Sequence, residues 1–153
     1  MELHPKIKEA LIEMNFIERY QKLSDSFDNV RTSMDQRLIY IDGEVIMDIL
    51  EEQGYPATFE SKEKFFKIKE QKINEYTFGF HIALDGGMVE LIWVVWENDE
   101  LLLGSPWAVY SRRLIDINYR IKKPIFKDYD DFEDIMIIAF KMFEDFKTVI
   151  ISK

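Results

Sequence analysis

Leu91-Ile92-Trp93-Val94-Val95-Trp96 is the stretch on which the fold turns. Consecutive aliphatic, β-branched and aromatic side chains favour an extended chain packed on a pleated surface. The run lies within Met88 to Glu97, where apolar residues fall on both sides of the chain, so the sequence predicts a central strand covered on both faces. Just upstream, Tyr76, Phe78, Phe80, Ile82 and Leu84 alternate with Thr77, Gly79, His81 and Ala83, the period-two pattern of a half-buried strand. Asp85-Gly86-Gly87 between them supplies the positive φ of a tight reversal, which makes the pair an antiparallel hairpin. Asn98-Asp99-Glu100 marks the next reversal, and Leu101-Leu102-Leu103 a third short strand.

Helical periodicity surrounds this centre. From Pro5 to Leu23 the apolar positions Ile7, Ala10, Leu11, Met14, Ile17, Tyr20 and Leu23 recur mostly at three and four, which predicts one amphipathic helix starting at Pro5. Residues 24 to 40 read equally as helix or ordered loop. Val45, Ile46, Ile49 and Leu50 predict a helix near 43 to 53, closed by Gly54 with Pro56 beyond. Ser105-Pro106 resembles an N-cap and first helical position, which favours a helix over 106 to 116, with a strand at Trp107 to Tyr110 as the other reading. Phe132, Ile135, Met136, Ala139, Phe143, Phe146 and Ile150, widened by Ile138, Phe140 and Met142, predict a broad-faced helix against the sheet. Asp128, Asp130, Asp131, Glu133 and Asp134 suit its N-terminus, and Lys147 and Lys153 the opposite end.

The expected fold is therefore α+β in one domain, residues 1 to 153. An antiparallel meander of three to five strands spans about 59 to 104, with 121 to 126 an edge strand at most because Pro124 interrupts it. N-terminal helices and a long C-terminal helix, about 130 to 147, pack it. A chain of 153 residues with 47% apolar and 14% aromatic side chains can bury one such core.

Composition also limits function. No cysteine is present, so disulfide frameworks, cysteine zinc sites and thiol nucleophiles are excluded. With Met1-Glu2-Leu3-His4-Pro5-Lys6 unlike a secretory leader, a cytoplasmic location is the expectation. No apolar run is long enough to span a bilayer, so no membrane association is expected. A net charge of −9 repels a phosphate backbone, so no direct nucleic-acid binding is expected. Two basic clusters interrupt this background: Lys62, Lys64, Lys67, Lys69 and Lys72, then Arg112, Arg113, Arg120, Lys122 and Lys123. Solvated strand edges account for them without an anionic ligand.

Local motifs of catalysis are missing. The acidic run from Asp128 has Glu133 where a calcium loop needs glycine and Ala139 where it needs glutamate, so it reads as an acidic helix start. Glu60-Ser61-Lys62 has the Glu-x-Lys spacing of metal-dependent nucleases, but Asp48, the upstream carboxylate that could complete it, falls in a predicted helix and lacks the strand context such a site requires. No metal site, no cofactor and no catalytic residue is assigned.

The N-terminal helices, the Trp-rich central strand, and the closing pattern Pro124-Ile125-Phe126-Lys127-Asp128-Tyr129-Asp130-Asp131-Phe132 followed by Phe143-Glu144-Asp145-Phe146-Lys147 resemble small bacterial immunity proteins. Proteins of that kind neutralise polymorphic or contact-dependent toxins, so the resemblance implies a protein partner, a basic toxin domain, and assigns no residue to the contact.

Charge distribution supplies a face for such a partner. Residues 35 to 60 hold Asp35, Asp42, Glu44, Asp48, Glu51, Glu52 and Glu60 against Arg37 alone, seven negative charges against one positive, a net of −6. Asp42, Glu44, Asp48, Glu51 and Glu52, with Tyr55 as an aromatic anchor, are the candidate partner-binding residues of a non-enzymatic acidic module. The alternative is a small-molecule-binding domain or enzyme using a groove at Thr77, Gly79, His81, Trp93 and Trp107. Self-association is a third possibility.

Overall fold

The computed structural model describes residues 2 to 153. Six antiparallel strands form one sheet: β1 (Ala57–Glu60), β2 (Phe65–Ile68), β3 (Gln71–Ile73), β4 (Tyr76–Asp85), β5 (Met88–Glu97) and β6 (Glu100–Leu103). Their order is β1-β2-β4-β5-β6, and β3 pairs with β4 beyond the end of β2. The helices are α1 (Pro5–Glu13), α2 (Phe16–Ser26), α3 (Gly43–Glu52), α4 (Trp107–Leu114) and α5 (Tyr129–Ile151). The α+β class, the helical N-terminus and the long terminal helix are as the sequence predicts.

The hairpin β4–β5 is the longest pairing, ten residue pairs from Tyr76↔Glu97 to Asp85↔Met88. Gly86 and Gly87, at φ 60° and 75°, make its turn, a conformation that disfavours a Cβ. Gly87 is doubly constrained, since a Cβ there would stand 2.5 Å from the Cβ of Arg37.

Four expectations need correction. The first helix is two: at Asn15 the chain enters the left-handed region, φ 57°, and turns a corner between α1 and α2. Asparagine tolerates that conformation, and the apolar periodicity runs on through the corner because both helices face the same core. The strands number six, since β1, β2 and β3 are too short to show clear alternation. The helix α4 has Pro106 itself, not Ser105, at the N-cap, with no side-chain capping bond. Finally, β5 is covered on one face only. Val89, Leu91, Trp93 and Val95 are buried, whereas Met88, Glu90, Ile92, Val94 and Trp96 are half-buried.

That inner face is the core. Trp93 stacks on Phe146 of α5 at 4.5 Å and meets Trp107 of α4 edge-on at 5.0 Å, while Phe16 of α2 contacts both indoles. Phe80 meets Phe140 and Phe143 edge-on. Such pairs each add about 0.5–1.5 kcal/mol beyond the burial of their area. Beyond the end of β6, Tyr110 takes the place of a neighbouring strand: its hydroxyl accepts from Trp93 N–H at 3.1 Å and donates to Trp93 C=O at 3.2 Å. Burial pushes the Tyr110 phenol well above its ordinary pKa, so it stays protonated and able to do both.

The 24 to 40 region resolves into the end of α2 and an irregular segment with a single 3-10 turn at Met34–Gln36. Ile125 makes one bridge to Met88, and Phe126 N–H bonds Gly87 C=O at 2.9 Å, so 121 to 126 borders the sheet without forming a named strand.

Candidate partner-binding face

Asp42 caps α3, its carboxylate accepting from Glu44 N–H at 3.0 Å. Ile46, Ile49 and Leu50 bind the helix to the core, with Val45 and Met47 half-buried against it, and the acidic positions face water. Asp48 stands four residues after Glu44, and Glu51 and Glu52 stand three and four after Asp48, one continuous stripe on the helix surface. All five carboxylates, Asp42 included, are exposed. Among the described residues none of them lies within ion-pair distance of a cation. Glu51 and Glu52 also occupy the last turn, where the helix dipole is negative and no basic residue compensates. The arrangement therefore opposes folding slightly and leaves an uncompensated negative field.

Tyr55 does not serve as a free anchor. Its ring stacks on Phe140 at 3.8 Å and 8°, and its hydroxyl donates to Glu144. Burial and that bond hold the phenol far above its ordinary pKa. Tyr55 instead fastens the end of α3 to α5, as does Gln53, whose amide donates to Glu133 C=O at 3.1 Å.

An exposed aromatic immediately before the stripe is Tyr40, with 92% of its surface accessible, beside Ile39 at 53%. The backbone around them is pinned on both sides: Leu38 N–H bonds Phe126 C=O at 3.1 Å, and Asp42 N–H bonds the Tyr129 hydroxyl at 2.9 Å. Two large apolar side chains thus project from a fixed backbone immediately before the acidic stripe. The sequence assigns Ile39 only to the ambiguous 24 to 40 segment and gives Tyr40 no role; that Tyr40 belongs to no apolar stripe is the signal that marks it.

The alternative groove does not assemble. Cross-strand pairing puts Trp93 opposite Phe80 on the inner face and His81 opposite Ile92 on the outer one, and Trp107 lies in the core. Thr77, Gly79 and His81 do share the outer face, but Phe65 stacks on His81 at 4.2 Å and the Glu70 side chain lies over Gly79. Burial and nearby Lys67 lower the His81 pKa, with Glu70 opposing.

Lys62 and Lys64 fall in the β1–β2 turn, Lys67 on the outer face opposite His81, and Lys123 pairs with Glu90 at 2.8 Å. No cluster of three or more metal-ligating side chains occurs among the described residues, and no helix of theirs is long and apolar enough to cross a membrane. Fold and face together define an α+β protein with a one-sided sheet and an acidic surface helix. No protein-family model, curated protein or solved structure matches the chain.

Proposed function

We propose that this protein is a non-enzymatic binding module that captures a basic protein partner through α3 and the segment before it. The supporting observation is the stripe Glu44, Asp48, Glu51 and Glu52, four exposed carboxylates with no internal cation, of which Glu51 and Glu52 oppose the helix dipole in the last turn. A field of that sign steers a positively charged partner and is neutralised by it. Tyr40 and Ile39 add apolar contact area at a preorganised site, which lowers the ordering cost of association. The immunity reading narrows the partner to a toxin domain whose functional surface is basic, held in an inactive complex.

The experiment takes the purified product of the reading frame immediately upstream as probe. Calorimetric titration should show binding that Tyr40→Ala weakens by about thirtyfold, the usual effect of removing an aromatic hot spot worth 2 kcal/mol. Binding that Tyr40→Ala leaves intact removes Tyr40 from the face, and absence of binding removes the immunity reading.

A further inference from the structure

A second surface, sharing no residue with the first, lies at the corner between α1 and α2. There Leu11, Ile12, Phe16, Ile17, Leu114 and Ile115 line an open cleft of about 290 Å³, with Glu18 at its edge. Ile12 and Ile115 keep 59% and 52% of their surface exposed. The left-handed Asn15 creates the cleft, because the chain turns there instead of continuing as one helix over it.

Two residues beyond Ile115 stands Ile117, 77% exposed, on a turn that is internally braced. Tyr119 N–H bonds Asp116 C=O at 3.0 Å, Asn118 N–H bonds the Asp116 carboxylate at 2.8 Å, and Arg120 Nη1 donates to the carbonyls of Ile117 and Tyr119. A fixed apolar knob therefore adjoins an apolar hole that it does not fill.

We infer that the chain associates with a second copy of itself through this face, Ile117 of each copy seating in the α1–α2 cleft of the other. Knob and hole on one patch are what a two-fold interface requires, since each copy must offer both halves of the contact. Charge agrees with this occupant. Glu18 at the cleft edge and Arg120 beneath the knob are both exposed, and neither has an ion-pair partner among the described residues. The two-fold operation brings Arg120 of each copy towards Glu18 of the other. A basic partner of the α3 face would meet Arg120 as a like charge here, so this patch suits a second copy better.

Sedimentation velocity of the full chain alone, from about 1 to about 200 µM, tests the inference at concentrations where weak dimers form. The sedimentation coefficient should rise with concentration to that of a dimer. Ile117→Asp should remain monomeric throughout with an unchanged melting temperature, and Ile117→Ser should show the same loss without adding a charge. Glu18→Arg, which keeps the apolar contacts but opposes Arg120 with a like charge, should weaken association at least tenfold at low salt and less at high salt. A wild-type chain that stays monomeric at the highest concentration overturns the inference, as does a dimer that survives both Ile117 substitutions. Neither result bears on the α3 face.

Discussion

Reversing two charges at the end of α3 should make the protein more stable. In Glu51→Lys/Glu52→Lys, the like-charge neighbours Asp48–Glu51 and Asp48–Glu52 become attractive pairs, each change of sign passing through about 0.2–0.5 kcal/mol twice. Both positions also lie in the last turn, where a cation is favoured over an anion by about 0.3–1 kcal/mol per charge at low ionic strength. Solvent screening of exposed groups argues for the lower part of these ranges, so the double variant should gain about 2 kcal/mol. At about 2–4 °C per kcal/mol for a chain of this size, the melting temperature should rise by about 4–8 °C. Thermal and urea unfolding in low salt measure this, and repetition in about 1 M salt, where the Debye length is about 3 Å, should remove most of the gain. An unchanged or lowered stability in low salt would mean that the stripe does not repel itself, and the argument that it is kept for a partner would fail.

Other consequences follow from single contacts. Tyr110→Phe leaves the buried N–H and C=O of Trp93 without their partner and should cost about 2–4 kcal/mol in urea unfolding, with faster exchange of the Trp93 amide; a loss under 1 kcal/mol would refute the strand-substitute role. Arg31→Ala removes the 2.8 Å bond to the Asp131 carboxylate, which is 4% exposed, and should cost about 1–3 kcal/mol in urea unfolding; a loss within error of zero would contradict a structural role for the pair. His81 has a folded-state pKa below its ordinary 6.5, so the unfolded chain takes up the proton first as pH falls. Stability should decline below pH 6.5 and level off beneath the folded value, and His81→Gln should abolish that decline; an equal slope in both proteins would contradict the assignment.

The parts of this fold that sequence reading recovers are those in which one periodicity persists. The alternation from Tyr76 to Leu84, the Gly86-Gly87 reversal and the wide stripe from Phe132 to Ile150 each predict an element that the structure contains. Reading fails where a local conformation or a distant contact decides. One residue, Asn15, bends a chain whose apolar spacing is uninterrupted. Apolar residues on both sides of β5 give no sign that helices cover only one. Lys147, which charge assigns to the C-terminal end of α5, is buried, where it bonds Gln71, pairs with Glu144 at 2.8 Å and lies 4.7 Å from the Phe143 ring centroid. Its long stem reaches the sheet, which helix position alone does not reveal.

The candidate face divides in the same way. Charge and helical spacing placed Asp42, Glu44, Asp48, Glu51 and Glu52 on one surface, because a stripe on an amphipathic helix is a local property. Tyr55, the anchor expected from the sequence, is covered while Tyr40 is exposed, because the cover on Tyr55 comes from Phe140 and Glu144, some ninety residues away in the chain.

The dissociation constant for the upstream gene product, measured against salt for the wild-type chain and for Glu51→Lys/Glu52→Lys, tests the central claim most directly. Capture by the α3 stripe requires affinity that falls steeply with salt and drops by at least tenfold in the variant at low salt, while the variant itself melts higher. Affinity that is the same in both proteins and indifferent to salt would contradict it.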